Sequence, residues 1–413
     1  MTATCGWCAT ALTIVLELGD QPLANALLTE EDLDRPEARF PLTLAICPSC
    51  GLVQITEAVP PERMFREYAY FSSVSDAFVA HAGAIAGRVR ASLGLGADSL
   101  VIEIASNDGY LLQHYAAAGI PVLGIDPARN IAAAANARGV PTLPEFFDAT
   151  LAAELARTGR TADVIHANNV IAHVPDLDGF VAGLATVLKP AGIAVIETPY
   201  VRDLVERLEF DTVYHEHRYY HSLTALARIL DRRGLRVVAV ERIPVHGGSL
   251  RLFVGHRDHG HGESVVGVPA ASVPGLLAEE ADLGLGDPAY YHSFADRVAT
   301  LGTDLRAMLG GIKADGRSVA AYGAAAKGTV LLNAFGIGAE ILEFVADRSP
   351  HKQGRFMPGV HLPIVAPERL LDTRPDVCLL LAWNFADEIL AQQGEYREAG
   401  GRFLIPAPVP KLV

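Results

Sequence analysis

The chain contains no run of about twenty apolar residues, so nothing in it reads as a membrane-spanning helix. It also lacks a basic cluster. With 34 Lys and Arg against 48 Asp and Glu, the formal charge is −14. A polyanion without a segregated basic patch is a poor nucleic-acid binder, so neither nucleic acid nor membrane is expected as a partner. Met1-Thr2-Ala3-Thr4-Cys5 shows no basic region followed by an apolar one, so no signal peptide is read there and a cytoplasmic location is expected. Cysteine is scarce, at 5 residues in 413, and in a reducing compartment these are metal ligands rather than disulfides. What is present is an ordinary globular composition, 50% hydrophobic and 20% charged, in a chain longer than one hydrophobic core usually holds. Two or three domains are expected.

Four of the cysteines form two C-x-x-C pairs, Cys5-Gly6-Trp7-Cys8 and Cys47-Pro48-Ser49-Cys50, with Gly51 directly after the second. Each pair makes a tight knuckle that turns two thiolates toward one ion, and two knuckles complete a tetrahedral zinc site. Four thiolates leave no position open for substrate, so Cys5, Cys8, Cys47 and Cys50 are read as a structural centre. Cys378 lies in the apolar run Val377-Cys378-Leu379-Leu380-Leu381 and reads as a buried strand residue.

The middle of the chain opens on a buried strand, Ser99 to Ala105, ending in Ser106-Asn107-Asp108-Gly109. A helical stretch follows, then a second strand, Val122-Leu123-Gly124-Ile125-Asp126. That is the start of a doubly wound parallel sheet, whose ligands sit at the carboxyl ends of the strands. Asp126 is placed to accept hydrogen bonds from a ribose diol. The first turn has only Gly109 in place of G-x-G-x-x-G, so a pyrophosphate would be poorly cradled. This weakens NAD or FAD and suits S-adenosylmethionine, which carries ribose and adenine without phosphate. Asp163 to Asn169 reads as a third strand with a polar tip, and Lys189-Pro190-Ala191-Gly192 precedes a fourth. In this order the pieces resemble a class I methyltransferase. Glu103, Ser106, Asn107, Asp108, Gly109, Asp126 and Asn168 are the expected cofactor residues.

Proton-handling side chains are densest in Tyr214-His215-Glu216-His217-Arg218-Tyr219-Tyr220-His221. His and Tyr act as general acid or base near neutral pH, and a carboxylate can orient them. An H-E-x-x-H zinc hydrolase is excluded, because His215 and His217 are two residues apart rather than four. Spacing does not choose between these histidines. In an extended segment they share one face, with Tyr214 and Glu216 on the other, so convergence of Tyr214, Glu216 and His217 requires a turn near Glu216. His221 is left unassigned. Upstream, Tyr68-Ala69-Tyr70-Phe71 is either core packing or a ligand-facing segment. Downstream, Arg317 to Gly328 reads as strand, small-residue turn and helix. Its backbone amides and Lys327 could meet a diphosphate, or the turn could serve tight packing alone. Asn384, beyond the strand Val377 to Leu381, is a further ligand candidate.

The paired cysteine module, the Glu103-Ile104-Ala105-Ser106-Asn107-Asp108-Gly109 turn and Gly124-Ile125-Asp126-Pro127-Ala128 together resemble one family. So do the Ala172-His173-Val174-Pro175-Asp176 and Tyr214-His215-Glu216-His217 segments, Tyr322 to Thr329, Val345 to Gly354 and Leu381 to Phe385. That family is the sugar C-methyltransferases of antibiotic pathways, which act on nucleotide-linked keto-deoxysugars at C-3′. The resemblance spans nearly the whole chain. It implies an α/β architecture in three parts: a zinc-binding module over 1–66, a class I, Rossmann-like S-adenosylmethionine domain over 67–258, and a C-terminal Rossmann-like domain over 259–413 that helps hold the sugar nucleotide. It implies His217 as the base that makes a sugar enolate, with Tyr214, Glu216, His173 and Tyr68 as further catalytic residues. It leaves His215 structural. Tyr70, Tyr322, Lys327 and Asn384 are the expected substrate contacts, the nucleotide is expected to be dTDP, and the enzyme is expected to be a monomer. Two alternatives stay open: methylation at C-5 of a related 4-keto sugar, and a regulatory protein that binds S-adenosylmethionine without turnover.

Overall fold

The structure, a computed structural model, describes residues 3–65 and 71–413. The expected site residues Tyr68 and Tyr70 lie outside the described residues.

The N-terminal part is an antiparallel meander of β1 (Thr13–Pro22), β2 (Arg39–Ile46) and β3 (Val53–Ile55). Leu42, Leu44 and Ile46 recur at the two-residue period of a strand and are buried together on one face. The sheet has a fourth strand from far along the chain: β9 (Tyr219–Tyr220) pairs with β3, Tyr220 opposite Val53 and Tyr219 opposite Gln54.

The central sheet has seven strands: β4 (Val101–Ile104), β5 (Val122–Ile125), β6 (Thr142–Leu143), β7 (Ala162–Asn168), β8 (Leu188–Pro199), β10 (Leu235–Ile243) and β11 (Ser249–His256). Their order is β10-β11-β8-β7-β4-β5-β6, and β11 runs antiparallel to both of its neighbours. The first strand lies inside the sheet and the order reverses beside it, between β4 and β7. A crevice therefore opens at the carboxyl ends of these strands. Val101, Ile102 and Ile104 are buried on both faces, which is why β4 reads as a continuous apolar run rather than an alternating one.

A small hairpin of β12 (Ser264–Val265) and β13 (Val268–Pro269) and two helices, Ser272–Leu283 and Phe294–Ala314, lead to the last unit. There β14 (Val319–Tyr322), β15 (Val345–Ala346), β16 (Ile364–Val365), β17 (Val377–Leu380), β18 (Arg402–Ile405) and β19 (Lys411–Leu412) are ordered β16-β15-β14-β17-β18-β19, parallel except for β19. This is a second doubly wound sheet, with its reversal between β14 and β17. Cys378 lies fully buried in β17, as expected. At Gly323 (φ 96°) a Cβ would meet that of Ala382 at 2.8 Å, so only glycine lets the ends of β14 and β17 approach this closely. One hydrophobic cluster runs through Leu44, Ile165 and Leu379, so all three parts share a core. Among the described residues no helix is long and apolar enough to cross a membrane.

Candidate active site and metal centre

The four cysteine sulfurs lie within 4.8 Å of one another. Cys5 and Cys50 Sγ are 3.7 Å apart, and Cys8 and Cys47 Sγ are 3.4 Å apart. A zinc tetrahedron with Zn–S of about 2.3 Å needs sulfurs roughly 3.8 Å apart, so the donor set fits the ion. Each knuckle is closed by its own backbone: the Ala9 amide donates to the Cys5 carbonyl and the Gly51 amide to the Cys47 carbonyl, both at 2.9 Å. The Gln54 amide group donates to Cys5 Sγ at 3.2 Å, which favours the thiolate and ties the centre to β3.

At the mouth of the central sheet, Asp126 follows β5. Its carboxylate accepts the backbone N–H of Asn107 and of Ala128, each at 2.9 Å. Burial raises its pKa to about 6, and those two amides oppose the rise. Asn107 Oδ1 in turn accepts the Ser72 amide at 2.8 Å, so residues 71–75 lie across the turn. Ala105 and Asn107 have φ of 55° and 48°, a rare conformation for residues with a Cβ, and the β4 tip turns sharply there. Beneath it, neither carboxylate oxygen of Glu103 has a partner at hydrogen-bond geometry among the described residues, and Asn168 Oδ1 at the β7 tip is likewise buried and unpartnered. Burial, and then the charge of Asp126, push Glu103 above the usual carboxylate range, against the pull of the Leu112 backbone. Unsatisfied buried polar atoms around a crevice at strand ends are what a ligand rich in hydroxyl and amino groups would complete.

One of the expected cofactor residues is engaged elsewhere. Asp108 is held by Arg138 at 2.8 Å and by the Ser73 hydroxyl, so it braces the turn. Ser106 is fully buried, with Oγ against Gly124, where even a Cβ would clash at 2.5 Å. Its Oγ is buried without a hydrogen-bond partner among the described residues, as are the Glu103 and Asn168 oxygens.

The second cluster lies beyond the β7 tip. A turn at His215 and Glu216 is closed by the His217 amide donating to the Tyr214 carbonyl at 2.9 Å. This is the bend that convergence required. His217 Nδ1 lies 2.9 Å from the Thr212 carbonyl, which can only accept, so Nδ1 carries the proton and Nε2 carries the lone pair. The Tyr214 hydroxyl, 3.0 Å from Nε2, donates to it. The His173 ring packs edge-on to that of His217 with centroids 4.8 Å apart, and its Nδ1–H donates to the Glu216 carbonyl at 2.7 Å. Burial lowers the His173 pKa to about 4, despite the carbonyls of Glu216 and Asn169, so it is neutral near pH 7. His215 points the other way, with Nε2 3.3 Å from the Pro41 carbonyl and its ring edge-on to Phe40. Its role there is to dock the turn on the N-terminal module. His221 is fully buried beside Thr198.

Asn25 is a site residue that the sequence reading missed. Its side-chain amide donates to Glu216 Oε1 at 2.7 Å across a separation of 191 residues, and no local pattern marks it. Equally hidden is a charge network under the central sheet. Arg251 bonds Glu197 and Glu241, each at 2.6 Å. His81 lies 2.9 Å from Glu197, and Arg88 pairs with Glu241. The network fastens the helix Asp76–Leu93 to β8, β10 and β11.

The expected substrate contacts of the last domain divide. Asn384 is half-buried just beyond β17. Lys327 does not present its ammonium to a diphosphate. It lies 3.5 Å from Glu209, 3.8 Å from Asp211 and 4.8 Å from the centre of the Trp383 ring, and two carboxylates would repel a phosphate there. Tyr322 is a core residue packed on Phe403, with its hydroxyl 3.2 Å from Gln393. Burial, not ligand contact, accounts for it.

Three family profiles match the chain: a zinc binding domain over residues 5–65, a methyltransferase domain over 78–240 and a C-methyltransferase C-terminal domain over 244–408. Among curated proteins, the C-methyltransferase NovU of Streptomyces niveus is 37% identical over 97% of this chain and 94% of its own length. A ubiquinone biosynthesis O-methyltransferase of Rhizobium etli is 31% identical over 24% of this chain and 40% of its own length. Among solved structures, the magnesium protoporphyrin IX methyltransferase of Synechocystis PCC 6803 with bound SAM aligns at TM-score 0.32 and 17% identity, covering 43% of this chain and 81% of that one. The mitomycin 7-O-methyltransferase MmcR aligns at TM-score 0.34 and 18% identity, covering 45% and 55%.

Proposed function

The chain belongs to the C-methyltransferase family, an S-adenosylmethionine-dependent enzyme with a zinc-binding domain, and from that premise we propose that it methylates a carbon α to the ketone of a nucleotide-linked 4-keto-deoxysugar. In this reading the carbon is C-3′, the nucleotide is dTDP, and the enzyme is a cytoplasmic monomer working as three units over 1–66, 67–258 and 259–413. The observation that carries the reading is His217, an imidazole whose proton is fixed on Nδ1 and whose Nε2 lone pair is directed to a tyrosine hydroxyl. Such a group removes a proton from carbon when that carbon is acidified by a neighbouring ketone.

Once Nε2 has taken the proton it no longer accepts from Tyr214. The Tyr214 hydroxyl is then free to donate to the enolate oxygen, where negative charge has just developed. His173, neutral and packed on the base, orders the same wall, and Glu216, held by Asn25, lines it. In the cofactor crevice Asp126 takes the ribose diol, while Asn107, Gly109, Asn168 and Glu103 shape its floor. S-adenosylmethionine, when bound, supplies a methyl group made electrophilic by a sulfonium. Asn384 remains the substrate contact of the last domain.

The test is product analysis with a panel of keto-sugar nucleotides and labelled S-adenosylmethionine, together with exchange of substrate hydrogen in heavy water. Deuterium should enter at C-3′, and entry at C-5 instead would assign the alternative regiochemistry. Absence of both exchange and methylated product across the panel would remove the sugar reading. Asp126 adds a pH signature. Its pKa is raised to about 6, so it is ionised above that pH and protonated below it. Protonation removes one acceptor for the diol. Affinity for S-adenosylmethionine should therefore weaken as pH falls through 6, by up to about tenfold per pH unit. Titration calorimetry from pH 5 to 8 should show this slope in the wild type and lose it in Asp126→Asn.

A further inference from the structure

The carbonyl that orients His217 belongs to the short turn Phe210–Thr212, and that turn is held from the other side by the C-terminal domain. Phe210 is fully buried, with its ring 4.7 Å from that of Phe335. Asp211 is 1% exposed. Its Oδ2 accepts the Trp383 indole N–H at 2.7 Å, and its Oδ1 faces Lys327 at 3.8 Å. Lys327 also faces Glu209, and its ammonium lies over the Trp383 ring. Thr212, the next residue, turns its carbonyl to His217 Nδ1 at 2.9 Å and to the Tyr220 hydroxyl at 3.4 Å. A continuous set of contacts thus runs from the first turn of the helix Ala326–Phe335 and from Trp383 to the ring of the base.

A buried carboxylate is costly unless its partners are fixed. Burial raises Asp211 above its ordinary range while Lys327 and the Trp383 indole oppose the rise. Simple packing would not need a carboxylate at this position, since an apolar side chain would fill it without the desolvation cost. What a carboxylate supplies is direction. Two partners on different segments fix its plane, and so fix the peptide that follows it.

We propose that Asp211 is a positioning residue for the base: gripped by Trp383 and Lys327 of the C-terminal domain, it holds the Thr212 carbonyl where it fixes the His217 tautomer and aims Nε2 at the substrate carbon. The proposal rests on the reading of His217 as base. It gives the last domain a part in proton abstraction beyond any part in binding substrate.

The experiment measures kcat, KM for the keto-sugar nucleotide, the dissociation constant of S-adenosylmethionine, the pH profile of kcat/KM and α-deuterium exchange in the intact enzyme. Asp211→Ala should lower kcat and the exchange rate together by about 10- to 100-fold, the usual scale for a lost partner in the shell around a functional group. Cofactor affinity should stay within about twofold. The acid limb of the kcat/KM profile should move to lower pH, because an imidazolium without its carbonyl acceptor is less stable. Asp211→Asn keeps an acceptor for the indole and should recover most of the rate, and Trp383→Phe should fall between them. If Asp211→Ala does not fold, the last two variants carry the test. Rates within about twofold of wild type, an effect confined to KM, or a lowered kcat with an unmoved acid limb would each overturn the proposal. A wild-type enzyme that exchanges no α-hydrogen would instead overturn the base assignment beneath it.

Discussion

Replacing His217 by alanine should leave S-adenosylmethionine binding intact and cut methyl transfer by a factor of about 10² to 10⁴, the range for a general base. The two effects separate because the base and the cofactor crevice lie on different segments. Asp126 and Asn107 draw their hydrogen bonds from the β4 and β5 tips, whereas His217 is anchored to Thr212 and Tyr214. Exchange of the substrate α-hydrogen should fall with methyl transfer, because both need the same deprotonation. The neighbouring histidine is the control. His215→Ala should lower thermal stability, since its buried ring docks on Phe40 and the Pro41 carbonyl, while the surviving enzyme keeps its turnover number. Near-normal turnover in His217→Ala would end the assignment. It would return attention to a protein that binds S-adenosylmethionine without catalysis.

The second large effect is expected on removing the metal. Structural zinc contributes about 10–16 kcal/mol of apparent folding free energy in small zinc-binding peptides, and four thiolates packed without it repel or must take up protons. Cys47→Ser, or exhaustive chelation, should therefore unfold the meander of β1 to β3. The consequence should not stop there, because β9 pairs with β3 and lies only two residues beyond His217. Losing that pairing, with the Asn25–Glu216 and His215–Pro41 contacts, frees the base segment from three supports at once. Zinc-free protein should thus lose turnover while the seven-stranded sheet still binds S-adenosylmethionine. Calorimetry should show one cooperative transition weakened, and hydrogen exchange should show protection lost at the Ile55 amide, which donates to the Arg218 carbonyl across this junction. Elemental analysis finding no zinc in the purified protein, or an unchanged melting profile after its removal, would sink the metal reading.

These two experiments concern parts of the molecule that differ in how legible they were. The zinc ligands could be read from the sequence because each knuckle is local: two cysteines three apart, closed by an amide of the residue that follows, Ala9 in one and Gly51 in the other. The crevice was legible for a similar reason. An apolar run, a sharp turn and a second run ending in Asp126 form one contiguous unit. Details inside it were not. Asp108 belongs to the same turn as Asn107, yet Arg138, remote in sequence, decides that its side chain braces the turn.

The base segment shows the division most clearly. Its composition announced proton chemistry, but an extended reading places His215 and His217 on the same face and leaves the choice open. A single hydrogen-bonded turn separates them, and the acceptors that give each its task, Pro41 for one and Thr212 for the other, come from outside the segment. Lys327 followed the same course: a lysine after a small-residue turn looked made for phosphate until Glu209, Asp211 and Trp383 were placed around it. By itself, then, the sequence determined the zinc set, the start of the central doubly wound sheet and the place of Asp126 at the tip of its second strand, because these follow from spacing and periodicity within a few turns of chain. Only the tertiary structure decided which histidine turns to Thr212 and Tyr214 and which to Pro41, which carboxylates are already paired, and how the module and the last domain hold the segment between them. A side chain's charge and direction are set by the partners that surround it, and here those partners come from elements dozens to hundreds of residues away.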